Sequence, residues 1–451
     1  MALKPCCSAD GKPLSTASIE SNFSDLHESL GMQQAIAEAN RCIYCYDAPC
    51  IQACPTSIDI PTFIHQIRTD NVNGSAKTIL AENIMGGTCA RVCPTEVLCQ
   101  EACVLNNEHD HAVEIGHLQR YAVDHLLASS QAHPFDRNAA TGKTIAVIGA
   151  GPAGLSCAHR AAMLGHQVTV YEAKAKPGGL NEYGLAAYKM VDDFAQREVE
   201  FLLGIGGIEV KYNQALGEGL SIEQLRKEFD AVFIGVGLTD TYSLGLENED
   251  INGIDDAVDF IEQIRQAKDK SEVKVGNDVV VIGAGNTAID AAVQAKRLGA
   301  ANVTLVYRRG EEHMSATEWE VNLARTNGVN IHLWAAPNSI KGQDFVKAIE
   351  FNKTKIKHNK LVNSGQSYQI KADMVLKAIG QKLNRSDLTD IEVNRGKIVV
   401  NEHYETSIPN VYAGGDAISS GEDLTVQAVE DGKLAAHCID AAFTQKEVSH
   451  G

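Results

Sequence analysis

Twice in this chain, about 130 residues apart, an apolar strand run meets a glycine turn, a helix and a second strand run. The first copy reads Thr144–Gly149 as strand, Ser156–Leu164 as helix and Gln167–Glu172 as strand. The second spans Asp278–Arg308. Such a unit can only bury its strands inside a parallel sheet, so most of the chain is committed to an α/β architecture. Two units this far apart imply two nucleotide sites and not a tandem array. Asp230–Gly237 and Ala372–Gly380 are buried strands ending in glycine, read as points where the chain leaves one domain and later returns.

The first turn, Gly149-Ala150-Gly151-Pro152-Ala153-Gly154, carries the dinucleotide fingerprint in its required place between strand and helix. Its glycines permit the tight turn and a close backbone approach to a pyrophosphate, which then meets the helix N-terminus. Glu172 closes the second strand and can accept from ribose hydroxyls, and Gly179-Leu180 follow shortly after. The second turn, Gly283-Ala284-Gly285-Asn286-Thr287-Ala288, replaces the third glycine with alanine. Its following strand ends in Arg308-Arg309 where an acid would repel a 2′-phosphate. A guanidinium there can hold that phosphate, so NADP(H) is favoured over NAD(H). Glu311 and Glu312 come directly after and could neutralise the arginines. Gly380 is expected to border this second site.

Ahead of both units, eight cysteines fall between residues 42 and 103. Cys42, Cys45, Cys50 and Cys54 form one set, and Cys89, Cys93, Cys99 and Cys103 the other, with proline directly after Cys54 and Cys93. Structural zinc prefers paired two-to-four-residue knuckles, and only Cys42–Cys45 is a CxxC here. The cysteine–proline elements fit iron–sulfur clusters better, and in two-cluster ferredoxins the cysteine before proline crosses to the other cluster. By that analogy Cys54 joins the second set, while one of Cys93, Cys99 or Cys103 crosses back. Thiolate is the better iron ligand, so ligand chemistry alone selects Cys89 for the eighth position. Cys6 and Cys7 read as tail residues, and Cys157 and Cys438 as small helix-packing residues.

Net charge is −18, which disfavours a nucleic-acid role, because phosphate backbones select basic faces. Residues 1–137 alone carry 16 acidic against 8 basic side chains. No apolar run approaches the roughly 18 residues that span a bilayer, and Met1–Asp10 lacks a signal-peptide pattern. A cytoplasmic protein with reduced, metal-binding cysteines is expected. One amphipathic helix is expected near Ser24–Asn40, others at Ile60–Asp70, Ala76–Asn83 and Ile115–Leu127, and a linker at Ala128–Lys143.

This order of motifs resembles the amino-terminal half of the dihydropyrimidine dehydrogenases and the related small subunit of glutamate synthase, over nearly the whole chain. The resemblance implies that Cys42, Cys45, Cys50 and Cys103 hold one [4Fe–4S] cluster. It implies Cys54, Cys93 and Cys99 for a second, whose fourth ligand is a glutamine; Gln119 fits that position and Cys89 becomes a bystander. It further implies that Gly149, Gly151, Ala153, Gly154, Glu172, Gly179 and Leu180 hold FAD, together with Gly415, Asp416 and Thr425 late in the chain. NAD(P)H then belongs to Gly283, Gly285, Asn286, Thr287, Arg308, Arg309 and Gly380.

The expected architecture is a helical two-cluster domain (1–137) followed by two Rossmann-like domains. The NAD(P)H domain (244–381) is inserted into the FAD domain (138–243 and 382–451). The implied activity is electron input from NAD(P)H, through FAD and two clusters, to an FMN-containing partner subunit that reduces uracil or thymine. The alternatives are the glutamate synthase small subunit and, more remotely, a zinc- and nucleotide-binding redox sensor. No residue is singled out as acid, base or nucleophile, and His109 and His111 read as surface residues.

Overall fold

The computed structural model describes residues 4–5, 14–106, 111–129, 132–217, 219–419 and 421–450. Cys6, Cys7 and His109 lie outside these residues, while His111 is exposed. The chain forms two compact units. One comprises Met1–Leu26, Tyr183–Val191 and Asp240–Lys382, and the other His27–Glu182, Asp192–Thr239 and Leu383–Gly451.

The second of these holds the cysteines from Cys42 to Cys103. Some of its helices start where a side chain caps them. Asp59 accepts from Thr62 N–H at 3.1 Å to start Ile60–Arg68, and Asn71 accepts from Gly74 N–H at 3.1 Å to start Val72–Glu82. Ile60, Phe63, Ile64 and Ile67 make a buried stripe at helical spacing. The single helix expected near Ser24–Asn40 begins only at Met32 and runs to Ala39. Gly31 takes the cap position, with its N–H held by Gln34 Oε1 at 2.8 Å. Gly86–Val92 and Ile115–Ala128 complete the helices that carry the later cysteines and Gln119.

Beyond them lies a five-stranded parallel sheet in the order Val411–Ala413, Ala231–Ile234, Thr144–Ile148, Gln167–Glu172, Ile208–Tyr212. Thr144–Ile148 sits at the centre, and chain progress reverses on its two sides, so the crevice at its carboxyl end is the binding point of such a sheet. The helix Pro152–Met163 starts four residues earlier than expected, because Pro152 can take the first helical turn without losing a hydrogen bond.

The other unit repeats the plan. Its parallel sheet runs Asn330–His332, Asn302–Val306, Asp278–Gly283, Met374–Ala378, Ile254–Asp256. An antiparallel sheet of Ala335–Gly342, Val346–Lys357 and Lys360–Lys371 adjoins it in sequence. Lys357 pairs with Lys360 across a two-residue turn in which His358 and Asn359 both have positive φ, 51° and 57°, the twist that suits a tight hairpin. Among the described residues no helix is long and apolar enough to cross a membrane.

Candidate redox site

The first glycine loop is sterically closed around its own backbone. Gly149 has φ 97°, and a Cβ there would lie 2.5 Å from the Gly235 carbonyl oxygen. A Cβ on Gly154 would lie 1.9 Å from the Gly149 oxygen. Only at Gly151 is the space open, with Gly179 Cα at 3.8 Å as the nearest atom, which leaves the backbone free for close approach. One Glu172 oxygen braces the loop by accepting from Ala150 N–H, and the other accepts from Lys174 N–H just beyond the strand, each at 2.8 Å. Burial raises the Glu172 pKa against that hydrogen bonding. Gly179 has φ 54°, and a Cβ on it would meet Gly151 Cα at 2.7 Å; Leu180 beside it is partly exposed.

The late segment folds back to this loop. A Cβ on Gly415 would stand 2.9 Å from Ala153 Cβ. Asp416 is mostly buried and its carboxyl is pushed up to about 6, by burial first and then by nearby Asp423. Thr425 donates to Asn181 Oδ1 at 3.0 Å, and Asn181 Nδ2 reaches Met85 Sδ at 3.9 Å. Two residues that the sequence reading passed over build this junction. Asp431 accepts from Gly415 N–H and from Gln427 Nε2, both at 2.9 Å. Gly432 lets the helix Thr425–His450 meet Pro152–Met163, since a Cβ there would be 2.1 Å from the Ala153 oxygen. A carboxylate and a glycine in mid-helix were the available signals. Cys157 is buried on the facing helix and Cys438 is half-buried.

The second loop opens onto a cavity of about 670 Å³, whose walls include Tyr242, Gly283, Gly285, Thr287, Arg308 and Gly380. Gly283 is the strained point: φ is 148°, and a Cβ would be 2.1 Å from the Ala378 oxygen. Ala288 fits fully buried in the place of a third glycine. Arg308 is exposed on the cavity wall, whereas Arg309 is half-buried and not part of it. Asn286 begins the helix Asn286–Arg297, and its Oδ1 is buried with no partner among the described residues. The two acids that could have neutralised the arginines are engaged elsewhere, Glu311 with Arg325 at 2.6 Å and Glu312 with His313 at 3.0 Å.

The cysteines line two cavities, each drawing on both sequence sets. Cys42, Cys45, Cys50 and Cys103 line one, among Ile60, Ile64 and Ile115. Cys54, Cys89, Cys93, Cys99 and Gln119 line the other, with Asn83 and Val426. The first set is turned by positive φ at Tyr44 (55°) and Ala48 (37°). Burial raises the thiol of Cys42, that of Cys50 to about 11 and that of Cys99 to about 12. Cys93 is raised first by its hydrogen bond to Cys89, then by burial. Bare, these thiols keep their protons, which metal binding releases.

Gln119 is buried, and its Nε2 donates to the Gly86 carbonyl at 2.7 Å, leaving Oε1 as its remaining donor atom for a metal. Glu198, also overlooked in the sequence, anchors the helix Gly86–Val92: it accepts from Thr88 N–H at 2.9 Å and from Thr88 Oγ1. Burial pushes its carboxyl up to about 7. Among the described residues no three His, Cys, Asp or Glu side chains converge on a point suited to a single metal ion.

Fold and motifs together define an iron–sulfur oxidoreductase built on two parallel dinucleotide folds. Residues 143–432 match the family described as pyridine nucleotide-disulphide oxidoreductase, and residues 19–131 match dihydropyrimidine dehydrogenase domain II, 4Fe-4S cluster. The chain therefore belongs to the pyridine nucleotide-disulphide oxidoreductase family and carries an amino-terminal 4Fe-4S domain. It is 36% identical to the NAD-dependent dihydropyrimidine dehydrogenase subunit PreT of Escherichia coli (strain K12), over 90% of this chain and 93% of that one. It is 32% identical to the glutamate synthase [NADPH] small chain of the same organism, over 95% of each. Mycobacterium tuberculosis FprA in complex with NADPH shares the fold, with a TM-score of 0.57 at 17% identity, over 68% of this chain and 86% of that one.

Proposed function

We propose that this chain is the electron-input subunit of a cytoplasmic dihydropyrimidine dehydrogenase, passing electrons from NAD(P)H to an FMN-containing partner that reduces uracil or thymine. The observation that carries the reading is the sorting of two sequence sets of cysteines into two cavities, each drawing on both. Bound FAD supplies the conversion of a hydride pair into single electrons, and two [4Fe–4S] clusters supply one-electron carriage. Cys42, Cys45, Cys50 and Cys103 would hold one cluster, and Cys54, Cys93, Cys99 and Gln119 the other.

The working division is 1–137 for clusters, 138–243 with 382–451 for FAD, and 244–381 for NAD(P)H. Gly149, Gly151, Ala153, Gly154, Glu172, Gly179, Leu180, Gly415, Asp416 and Thr425 would hold FAD. Thr425 and Asn181 link these residues to Met85, and Val426, next to Thr425, lines the cavity of Cys54 and Gln119. That continuity supports an inlet at the second cavity. Ile43 and Val104 line the first cavity and Tyr46 lies close by in sequence; all three side chains are exposed, Tyr46 fully, which supports an outlet to the partner there.

Gly283, Gly285, Asn286, Thr287 and Gly380 would hold the nicotinamide dinucleotide, and Arg308 favours a 2′-phosphate, hence NADPH; Arg309 is a weaker candidate. PreT is named NAD-dependent while the glutamate synthase small chain carries NADPH in its name, so the relatives' names divide on this choice. The purified chain should oxidise NAD(P)H with a dye and reduce no uracil until an FMN subunit is added. Glutamine-dependent turnover with a glutamate synthase partner, and none with a pyrimidine partner, would favour the alternative. A colourless zinc protein would sink both.

A further inference from the structure

The turn Asn83–Gly86 supplies more to the second cysteine cavity than its fold requires. Asn83 ends the helix Val72–Glu82 and is fully buried. Its Oδ1 accepts from Met85 N–H at 3.0 Å, and its carbonyl accepts from Gly86 N–H at 2.9 Å. That first bond decides which end of the amide is which: the oxygen faces Met85, so Nδ2 is the end left over. Nδ2 is buried and has no hydrogen-bond partner among the described residues. Asn83 lines the cavity shared by Cys54, Cys93, Cys99 and Gln119. A buried N–H donor without an acceptor is costly, and the large majority of such groups in native proteins pair with protein, ordered water or a bound group.

We infer that Asn83 is a tuning residue, whose Nδ2–H donates a hydrogen bond to a sulfur atom of the cluster in this cavity and raises that cluster's reduction potential. The inference rests on the reading of the cavity as a cluster site. Reduction adds negative charge to the cluster, and a donor aimed at its sulfur stabilises the reduced form more than the oxidised one. The same short turn sets both polar partners. The Gly86 carbonyl holds Gln119 Nε2, so the glutamine offers oxygen, while Asn83 is held by its oxygen and offers N–H. One turn thus presents an acceptor to iron and a donor to sulfur. Thr56 adds a third contact, with its hydroxyl 3.3 Å from Cys54 Sγ.

The test uses the full chain purified anaerobically, titrated by EPR against potential. Asn83→Ser keeps an oxygen able to hold Met85 N–H while removing the amide donor. With iron content unchanged, the cluster whose signal responds to Gln119→Ala should become about tenfold harder to reduce, close to 59 mV for one electron. The other cluster and the flavin should keep their potentials. An unshifted potential, or a shift confined to the other cluster, overturns the inference. If the variant loses iron, wild-type protein labelled with 15N on asparagine side chains decides: a hyperfine coupling to the reduced cluster supports the bond, and its absence refutes it. Wild type without two cluster signals would instead sink the underlying cluster reading.

Discussion

The two glycine loops start from nearly the same sequence and end as different devices. In the first, a Cβ at Gly154 would overlap the Gly149 oxygen at 1.9 Å, and Glu172 accepts from the loop's Ala150 N–H with one oxygen and from Lys174 N–H with the other. In the second, a fully buried Ala288 occupies the corresponding position. No acid closes that loop, and Arg308 stands exposed beside a cavity of about 670 Å³. One loop is braced from inside and from the returning Gly415–Asp416 segment; the other is left open. The first is suited to a nucleotide that stays, the second to one that comes and goes. Resident against exchanging is what a flavin and a nicotinamide require.

The largest effect should follow from Gly154→Ala, which puts a methyl into the Gly149 carbonyl. Flavin retention should fall at least a hundredfold, corresponding to about 3 kcal/mol, the scale of a severe backbone clash. Flavin absorbance per protein after gel filtration measures it, and a yellow variant would break the contrast between the loops. A smaller change is expected for Arg308→Asp. The KM for NADPH should rise about 10- to 100-fold, in line with losing a charge-assisted phosphate contact and adding repulsion, while that for NADH moves less than about threefold. Equal changes for both nucleotides would remove the 2′-phosphate assignment and leave Arg308 as an exposed cation.

Those loops were legible because their physics is local: strand, turn, helix and strand lie within about 30 residues. The strand Gln167–Glu172 has the expected bounds, and the paired role of Arg308 and Arg309 divided only once the cavity wall was known. The fold of Ala335–Lys371 was not read, since its two long strands face each other across a turn with neither glycine nor proline. Asp431, Gly432, Glu198 and Asn83 were missed for a common reason. Each acts on a residue distant in sequence or on a cavity that exists only after folding, and each looks ordinary among its neighbours in the chain. The cysteines were conspicuous, but their grouping is a property of the fold: Cys103 lies with Cys42, and Cys54 with Cys99. Cys89 shows the limit most clearly. It lines the second cavity as Gln119 does and hydrogen-bonds Cys93, so five donor side chains border the cavity, one more than a [4Fe–4S] cluster would use.

That surplus donor makes the central claim directly measurable. Iron content and EPR spectra of dithionite-reduced Cys89→Ser and Gln119→Ala proteins, beside wild type, test both the number of clusters and the identity of their ligands. The account predicts about eight irons and two cluster signals in wild type and in Cys89→Ser. In Gln119→Ala one signal should be altered and the other preserved. Loss of a cluster in Cys89→Ser, with Gln119→Ala unchanged, would contradict it.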